Sequence, residues 1–387
     1  MKNFDYHIPT DVYFGKGKIK KLGDKISSIG QRILLVYGGG SIKKSGIYDA
    51  VLEELRRGEA VVFELSGVEP NPRIQSVRRG VEICRREGID AVLAVGGGSA
   101  IDCGKMVAAG ACYDGDPWDQ VLDRRKITRA LPVAAVLTIA ATGSEMDGFA
   151  VISDMDKNIK LGTGNDLTKP VFAIMDPEYT YSVSKYQTAC GTADIMSHTL
   201  ENYFNTVPGA YLQARIAEGI LKTCIHYGPV ALEEPENYEA RANLMWASSL
   251  AINGLINYGA STPWSVHAME HELSAFYDIT HGAGLALLTP YWMQYVLGEE
   301  TLSKFVEYGV DVWGIDGKKE PMAIAEEAIA KTREFFDAIG MPSRLKDVGI
   351  DAANFDAMAE KAAKGGLAKG FVPLYKEDVR RIFEMAL

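Results

Sequence analysis

From residue 30 to about 180, short apolar runs alternate with amphipathic stretches. The run at 32–37, Arg-Ile-Leu-Leu-Val-Tyr, is almost continuously apolar, as a strand buried on both faces must be. Gly38-Gly39-Gly40-Ser41 follows it and leads into a helical pattern ending near residue 57. A second strand at 60–65 precedes a helix over 71–87. A third, at 91–95, ends in Gly96-Gly97-Gly98-Ser99 and a helix over 100–111. Further strands are expected at 133–139, 149–153 and 171–176. Strands alternating with helices predict an α/β domain with a doubly wound, mostly parallel sheet.

Past Asp176-Pro177 the rhythm changes. Helical patterns follow one another at 185–205, 211–231, 238–253, 264–276, 284–295, 321–339 and 377–386, and strand patterns almost vanish. The pattern divides the chain near residue 180, into an α/β domain at 1–180 and an all-α domain at 181–387. There is no internal repeat and no low-complexity segment.

A length of 387 residues suits two cores better than one. Hydrophobic residues at 47% and charged residues at 24% are ordinary for a globular chain. A formal charge of -10 without a basic run argues against nucleic acid as a partner. The longest apolar stretch, 130–141, is broken by Pro132 and Thr138 and falls short of the roughly 18 residues that span a bilayer. Residues 1–10 do not read as a signal peptide. Five scattered cysteines form no CxxC pair, so neither disulfides nor a thiolate zinc site is expected, and a cytoplasmic setting fits.

Ligands of parallel sheets sit beyond the carboxyl ends of the strands. Glycines there let the backbone approach a pyrophosphate, and the next helix offers free N–H groups. Gly38, Gly39 and Ser41 in one turn, and Gly97, Gly98 and Ser99 in another, are therefore candidate nucleotide contacts. Neither turn is GxGxxG, so the domain is a Rossmann-like variant. Asp102 joins this set, although Ser99-x-x-Asp102 also reads as a capping box. A third turn, from Thr138 through Ala141-Thr142-Gly143-Ser144-Glu145, adds the hydroxyls of Thr138 and Thr142.

The helical half holds a metal-like constellation. Asp194 and His198 are four residues apart, on one helical face. His267 and His271 repeat the spacing, and His281 follows between Thr280 and Gly282, as if reached by a turn. One carboxylate and three imidazoles suit tetrahedral Zn²⁺ or an open Fe²⁺ site. Asp194, His198, His267 and His281 are the expected set. His271 reads as a fourth imidazole ligand, a hydrogen-bond donor behind a ligand, or a proton carrier. His7 and His226 read as ordinary histidines.

Together, Gly96-Gly97-Gly98-Ser99-Ala-Ile-Asp102, Ala141-Thr142-Gly143-Ser144-Glu145, Asp194-x-x-x-His198 and His267-x-x-x-His271-x₉-His281 resemble the iron-containing, or group III, alcohol dehydrogenases. The similarity runs in order along nearly the whole chain. Tyr37-Gly-Gly-Gly-Ser-Ile-Lys-Lys44 and Tyr277-Asp278-Ile279-x-His281-Gly282 are most similar to the butanol dehydrogenase branch. The resemblance implies a nucleotide domain, a helical domain and a cofactor in the cleft between them. It also implies Asp194, His198, His267 and His281 as ligands of Fe²⁺ or Zn²⁺, with His271 just outside the ligand set, and a homodimer. Hydride would pass between a primary alcohol or aldehyde, such as butanol or butyraldehyde, and the nicotinamide. Asp194 and His267 would serve the chemistry through the metal, while His271 relays the hydroxyl proton. Relatives that prefer NAD carry an acid after the first strand of the nucleotide fold. Here that turn is GGGS followed by Lys43 and Lys44, which favours NADP(H) over NAD(H). Lys160 is a further cofactor or substrate contact by resemblance, or else an exposed turn lysine. Cys103 stands where relatives carry small residues and reads as packed. Phe149, Tyr258 and Trp264 are candidate pocket walls. The alternatives are a glycerol or 1,2-diol dehydrogenase and, further off, a dehydroquinate-synthase-like lyase.

Overall fold

The first half of the chain forms eight strands in a computed structural model that describes residues 1–262 and 264–387. These are β1 Asp11–Phe14, β2 Arg32–Tyr37, β3 Val61–Leu65, β4 Ala91–Gly96, β5 Val133–Leu137, β6 Phe149–Asp154, β7 Ile159–Gly164 and β8 Phe172–Met175. Six of them form a sheet in the order β1-β8-β5-β4-β2-β3, every neighbouring pair parallel. The doubly wound α/β architecture expected from the alternation is present.

Alternate residues of each strand feed opposite layers. Ile33, Leu35, Leu93 and Val95 pack with Val51 and Leu55 of the helix Ile47–Arg57. Leu34, Val36 and Val92 pack with Val77 and Val81 of the helix Ile74–Glu87 and Met106 and Val107 of the helix Gly98–Ala111. Register then aligns the carboxyl ends. Tyr37 lies opposite Val95, and Gly96 opposite Leu137, so all three candidate turns open at the same edge of the sheet.

Several sequence expectations need correction. The strand at 149–153 lies outside the parallel sheet: β6 pairs antiparallel with β7 in a separate hairpin. The turn between them passes through Asn158 in the left-handed region at φ 51°. Ala150 and Ile152 bury themselves against the helical layer, which is why β6 looks like a core strand in the sequence. The helix expected up to 57 is two, Ser41–Lys44 and Ile47–Arg57, because Gly46 turns to φ 78° between them. Short helices at Pro117–Leu122, Leu302–Asp311 and Phe355–Lys364 escaped the pattern.

The chain forms two compact units. One comprises His7–Val183 and Pro235–Asn253, and thus takes in the helix Tyr238–Leu250. The other comprises Met1–Tyr6, Ser184–Glu234 and Gly254–Leu387. From Ser184 onward every regular element among the described residues is helical. The second unit is built around the helix Lys185–Tyr203, whose residues from Thr188 to Tyr203 are all buried. Phe204, just past its end, meets Trp292, Phe305, Tyr308 and Phe371 in an aromatic cluster. A helix apolar or packed on all sides must sit in a core, so any polar group on it is buried and must find a partner.

Candidate metal centre and nucleotide turns

Asp194 and His198 are such groups. They lie one turn apart on the central helix, with His198 Nδ1 3.6 Å from Asp194 Oδ1. The helix Ser265–Tyr277 brings His267, whose ring stacks on His198 with centroids 4.7 Å apart. His281 places Nε2 3.7 Å from Asp194 Oδ1. Donor atoms of Asp194, His267 and His281 all lie within 4.8 Å of one another. His281 is not carried by a free turn: it is the first residue of the helix His281–Val296. The glycines around it serve packing, since a Cβ on Gly282 would lie 2.0 Å from the carbonyl oxygen of Cys190.

The environment keeps the His198 imidazole neutral and its lone pair available. Burial, then the neighbouring His267, His281 and His271, hold His198 well below the ordinary histidine range. His198 Nδ1 and His267 Nε2 are buried and have no hydrogen-bond partner. Such groups are costly to leave unsatisfied, and lone pairs beside a buried carboxylate are the donor set of a divalent cation. The residues fit a metal ion.

Two carboxylates that sequence reasoning missed stand behind the imidazoles. Glu201, on the central helix, accepts from the backbone N–H of Ser265 at 2.8 Å, Val266 at 2.6 Å and His267 at 3.0 Å. It caps the start of the second helix, and it also takes the Nδ1 proton of His267 at 3.3 Å. Glu270 accepts from His281 Nδ1 and from the Ser274 hydroxyl. Each acceptor fixes a tautomer that leaves Nε2 as the donor. The signal was present in His198-x-x-Glu201 and His267-x-x-Glu270, where i, i+3 spacing keeps each glutamate on the histidine face. Each glutamate nevertheless serves a histidine of another helix, and spacing does not reveal that.

His271 is half-buried and stands apart from Asp194. Its ring lies 5.7 Å from that of His281, and its donor atoms cluster with Glu270 and His281. Trp264 is buried to an intermediate degree and packs edge-on against His267 at 4.9 Å, from a left-handed backbone at φ 54°.

In the other unit the glycine turns are tight for reasons internal to the protein. A Cβ on Gly97 would lie 2.3 Å from Ile139, and one on Gly98 2.4 Å from Thr142 Oγ1. Gly97, Ser99, Thr138 and Thr142 are partly exposed at this edge, and Gly39 and Ser41 are exposed. Gly38 closes against the Val68 carbonyl, whereas Gly39 has open space around it. Lys43 holds its ammonium 5.1 Å from the Tyr37 ring and 4.4 Å from the Tyr48 ring, and Lys44 is exposed.

Asp102 makes no capping box, because the N-cap of its helix is Gly97. Its carboxylate instead accepts from Ser144 Oγ at 2.6 Å and from the Val151 N–H at 2.8 Å, joining the helix to β6. Burial raises it to about 6, although Lys105 opposes the shift. Fully buried Lys105 donates to Ser144, Asp147 and the Phe149 carbonyl at 2.8, 2.7 and 2.6 Å. Lys160 is buried within β7 rather than exposed in a turn. Cys103 is buried, and that burial pushes its thiol far above the ordinary range, as expected of a packed residue.

A parallel sheet with glycine turns at one edge and a buried carboxylate–imidazole cluster in a helical unit are the parts that a metal-dependent dehydrogenase requires. Comparison with known proteins agrees. Residues 9–177 match the family description "Iron-containing alcohol dehydrogenase", and residues 188–387 match "Fe-containing alcohol dehydrogenase family, C-terminal". An NADH-dependent butanol dehydrogenase A of Clostridium acetobutylicum is 58% identical over 386 residues, covering 99% of both chains. An NADPH-dependent aldehyde reductase of Escherichia coli is 40% identical over 393 residues, covering 100% of each. The crystal structure of an NADH-dependent butanol dehydrogenase A of Thermotoga maritima superposes with a TM-score of 0.95 at 39% identity, covering 100% of this chain and 99% of that one. The chain belongs to the iron-containing alcohol dehydrogenase family, in its butanol dehydrogenase-like part. It is an oxidoreductase of alcohols and aldehydes.

Proposed function

We propose that this enzyme interconverts short primary alcohols and aldehydes, butanol and butyraldehyde among them, using Fe²⁺ and a nicotinamide cofactor. The observation carrying the metal assignment is the convergence of Asp194, His267 and His281 beside the unpartnered nitrogens of His198 and His267. Asp194, His198, His267 and His281 would hold the ion, in preference to Zn²⁺ on the ground of family membership. When bound, a divalent ion supplies Lewis acidity toward the substrate oxygen. The chain's own residues do the rest. Glu201 and Glu270 hold the imidazole tautomers, and His271, outside the ligand set, accepts or returns the hydroxyl proton at a ring nitrogen. Asp194 and His267 act only through the site they build.

The nicotinamide cofactor is assigned to Gly38, Gly39, Ser41, Gly97, Gly98, Ser99, Asp102, Thr138, Thr142 and Lys160. Relatives named for NADH and for NADPH both occur among the similar proteins. NADP(H) is favoured here because the turn after β2 presents no acid to a 2′-phosphate and offers Ser41, Lys43 and Lys44. The enzyme acts as a homodimer in the cytoplasm, a reading that rests on the family resemblance. Its five cysteines are free thiols, which suits a reducing compartment.

The test is to follow NADPH, then NADH, with butyraldehyde, before and after chelation and refilling with Fe²⁺ or Zn²⁺. Oxidation of cofactor that stops on chelation and returns with metal is the expected result. Failure to oxidise either cofactor with any metal would refute the reading.

A further inference from the structure

His281 is the ligand candidate least enclosed by its surroundings, with its side chain 22% exposed beside a completely buried Glu270 carboxylate. The structure gives that carboxylate a prepared position. Ser274, one turn further along the same helix, donates its hydroxyl to Oε1, while Oε2 takes the His281 ring nitrogen. Gly284, one turn into the next helix, leaves the necessary room: a Cβ there would lie 2.8 Å from Glu270 Cγ and 3.1 Å from Oε1. Four residues on two helices thus converge on the hydrogen bond between Glu270 and the His281 imidazole. Glu201 differs, because it also caps a helix and would be needed for folding alone.

We propose that Glu270 is a positioning residue that sets how firmly this enzyme retains its metal, through the His281 ring, and that Gly284 keeps the space it needs. The proposal rests on the metal reading above. By accepting the Nδ1 proton, Glu270 locks the tautomer whose Nε2 lone pair faces Asp194, 3.7 Å away. An anionic acceptor also raises the donor strength of the imidazole, as carboxylates behind metal-bound histidines do. A ligand that is partly open to solvent and first on its helix has the most to lose without such a brace.

The experiment is a Co²⁺ titration of metal-free protein, read by visible absorption and by competition with a chelator. Wild type is compared with Glu270→Gln, Glu270→Ala, Gly284→Ala and, as a site control, Asp194→Ala. Glu270→Ala is expected to weaken Co²⁺ binding about 10- to 100-fold, the usual cost of losing such a partner. Glu270→Gln keeps the shape and an acceptor oxygen and should recover part of that loss. Gly284→Ala keeps the carboxylate but displaces it, and should weaken binding and shift the cobalt spectrum. Binding by Glu270→Ala and Gly284→Ala within about twofold of wild type would overturn the proposal. A wild type that binds no Co²⁺, or an Asp194→Ala that binds as well as wild type, would instead remove the metal reading itself, and the proposal with it.

Discussion

Gly282 packs against Cys190 so closely that a single added carbon would come within 2.0 Å of the Cys190 carbonyl oxygen. Cys190 lies one turn before Asp194 on the central helix, and Gly282 immediately follows His281. The contact therefore helps to bring together Asp194 and His281, 87 residues apart in the sequence, and its consequence is direct. Gly282→Ala is expected to cost about 1–3 kcal/mol by overpacking and to lower the metal content of the purified protein. Denaturation midpoints and elemental analysis check both.

His267 and His271 share a helical face yet should fail differently. His267→Ala removes a donor atom from the cluster around Asp194 and is expected to lose both metal and activity. His271→Ala should keep its metal and lose activity about 10²- to 10⁴-fold, the range for a proton-transferring group. Metal content measured beside turnover separates the two. Full turnover by a metal-free His267→Ala protein would refute the scheme.

Gly39 is exposed and has nothing within 4 Å of where its Cβ would stand. Gly39→Asp thus adds a carboxylate without a clash, at the turn assigned to the 2′-phosphate. We expect KM for NADPH to rise about tenfold or more, since one 1.4 kcal/mol repulsion is a factor of ten, while KM for NADH changes little. Equal effects on both cofactors would remove Lys43 and Lys44 from the phosphate site.

Lys105 is fully buried and offsets Asp147, whose carboxyl is itself pushed up by burial. Lys105→Met leaves that acid, Ser144 and the Phe149 carbonyl without their shared donor. Breaking a buried pair by removing one partner costs about 3–5 kcal/mol. Urea denaturation should register it, and a change below about 1 kcal/mol would mean that the site relaxes or admits water.

Glu145 predicts a pH dependence. It is fully buried, accepts from the Ser249 hydroxyl, and burial raises it from 4.5 to about 7. The folded state therefore binds this proton more tightly than the unfolded chain does. Its contribution to stability is complete below pH 4.5 and is lost as pH rises through about 7. Glu145→Gln cannot ionise, so it should gain on wild type by up to about 3 kcal/mol between pH 4 and pH 8. Melting temperatures of both proteins across that range would show it, and parallel curves would refute it.

Of the five anticipated parallel strands, β2, β4, β5 and β8 were legible because a strand covered on both faces needs apolar side chains at nearly every position, while the edge strand β3 was legible from its Val-Val-Phe run although only Leu65 is buried. β1 was less legible: its residues Val12, Tyr13 and Phe14 are only partly buried. β6 reads as a core strand for the same reason as the others, yet its partner β7, Ile-Lys-Leu-Gly-Thr-Gly, carries no such run. Pairing is a property of two segments, and one was silent. The break at Gly46 was equally hidden, since amphipathic spacing continues across it.

The sequence by itself determined the class of fold, the glycine turns and the histidine series, because periodicity and i, i+4 spacing are local and survive in one dimension. Only the tertiary structure decided that Glu201 and Glu270 serve His267 and His281, that Asp102 and Lys105 tie a helix to a hairpin, and that Gly282 and Gly284 are there to let helices approach. Those roles depend on which helix lies beside which. That is set by the summed packing of whole faces, and no single stretch of the chain records it.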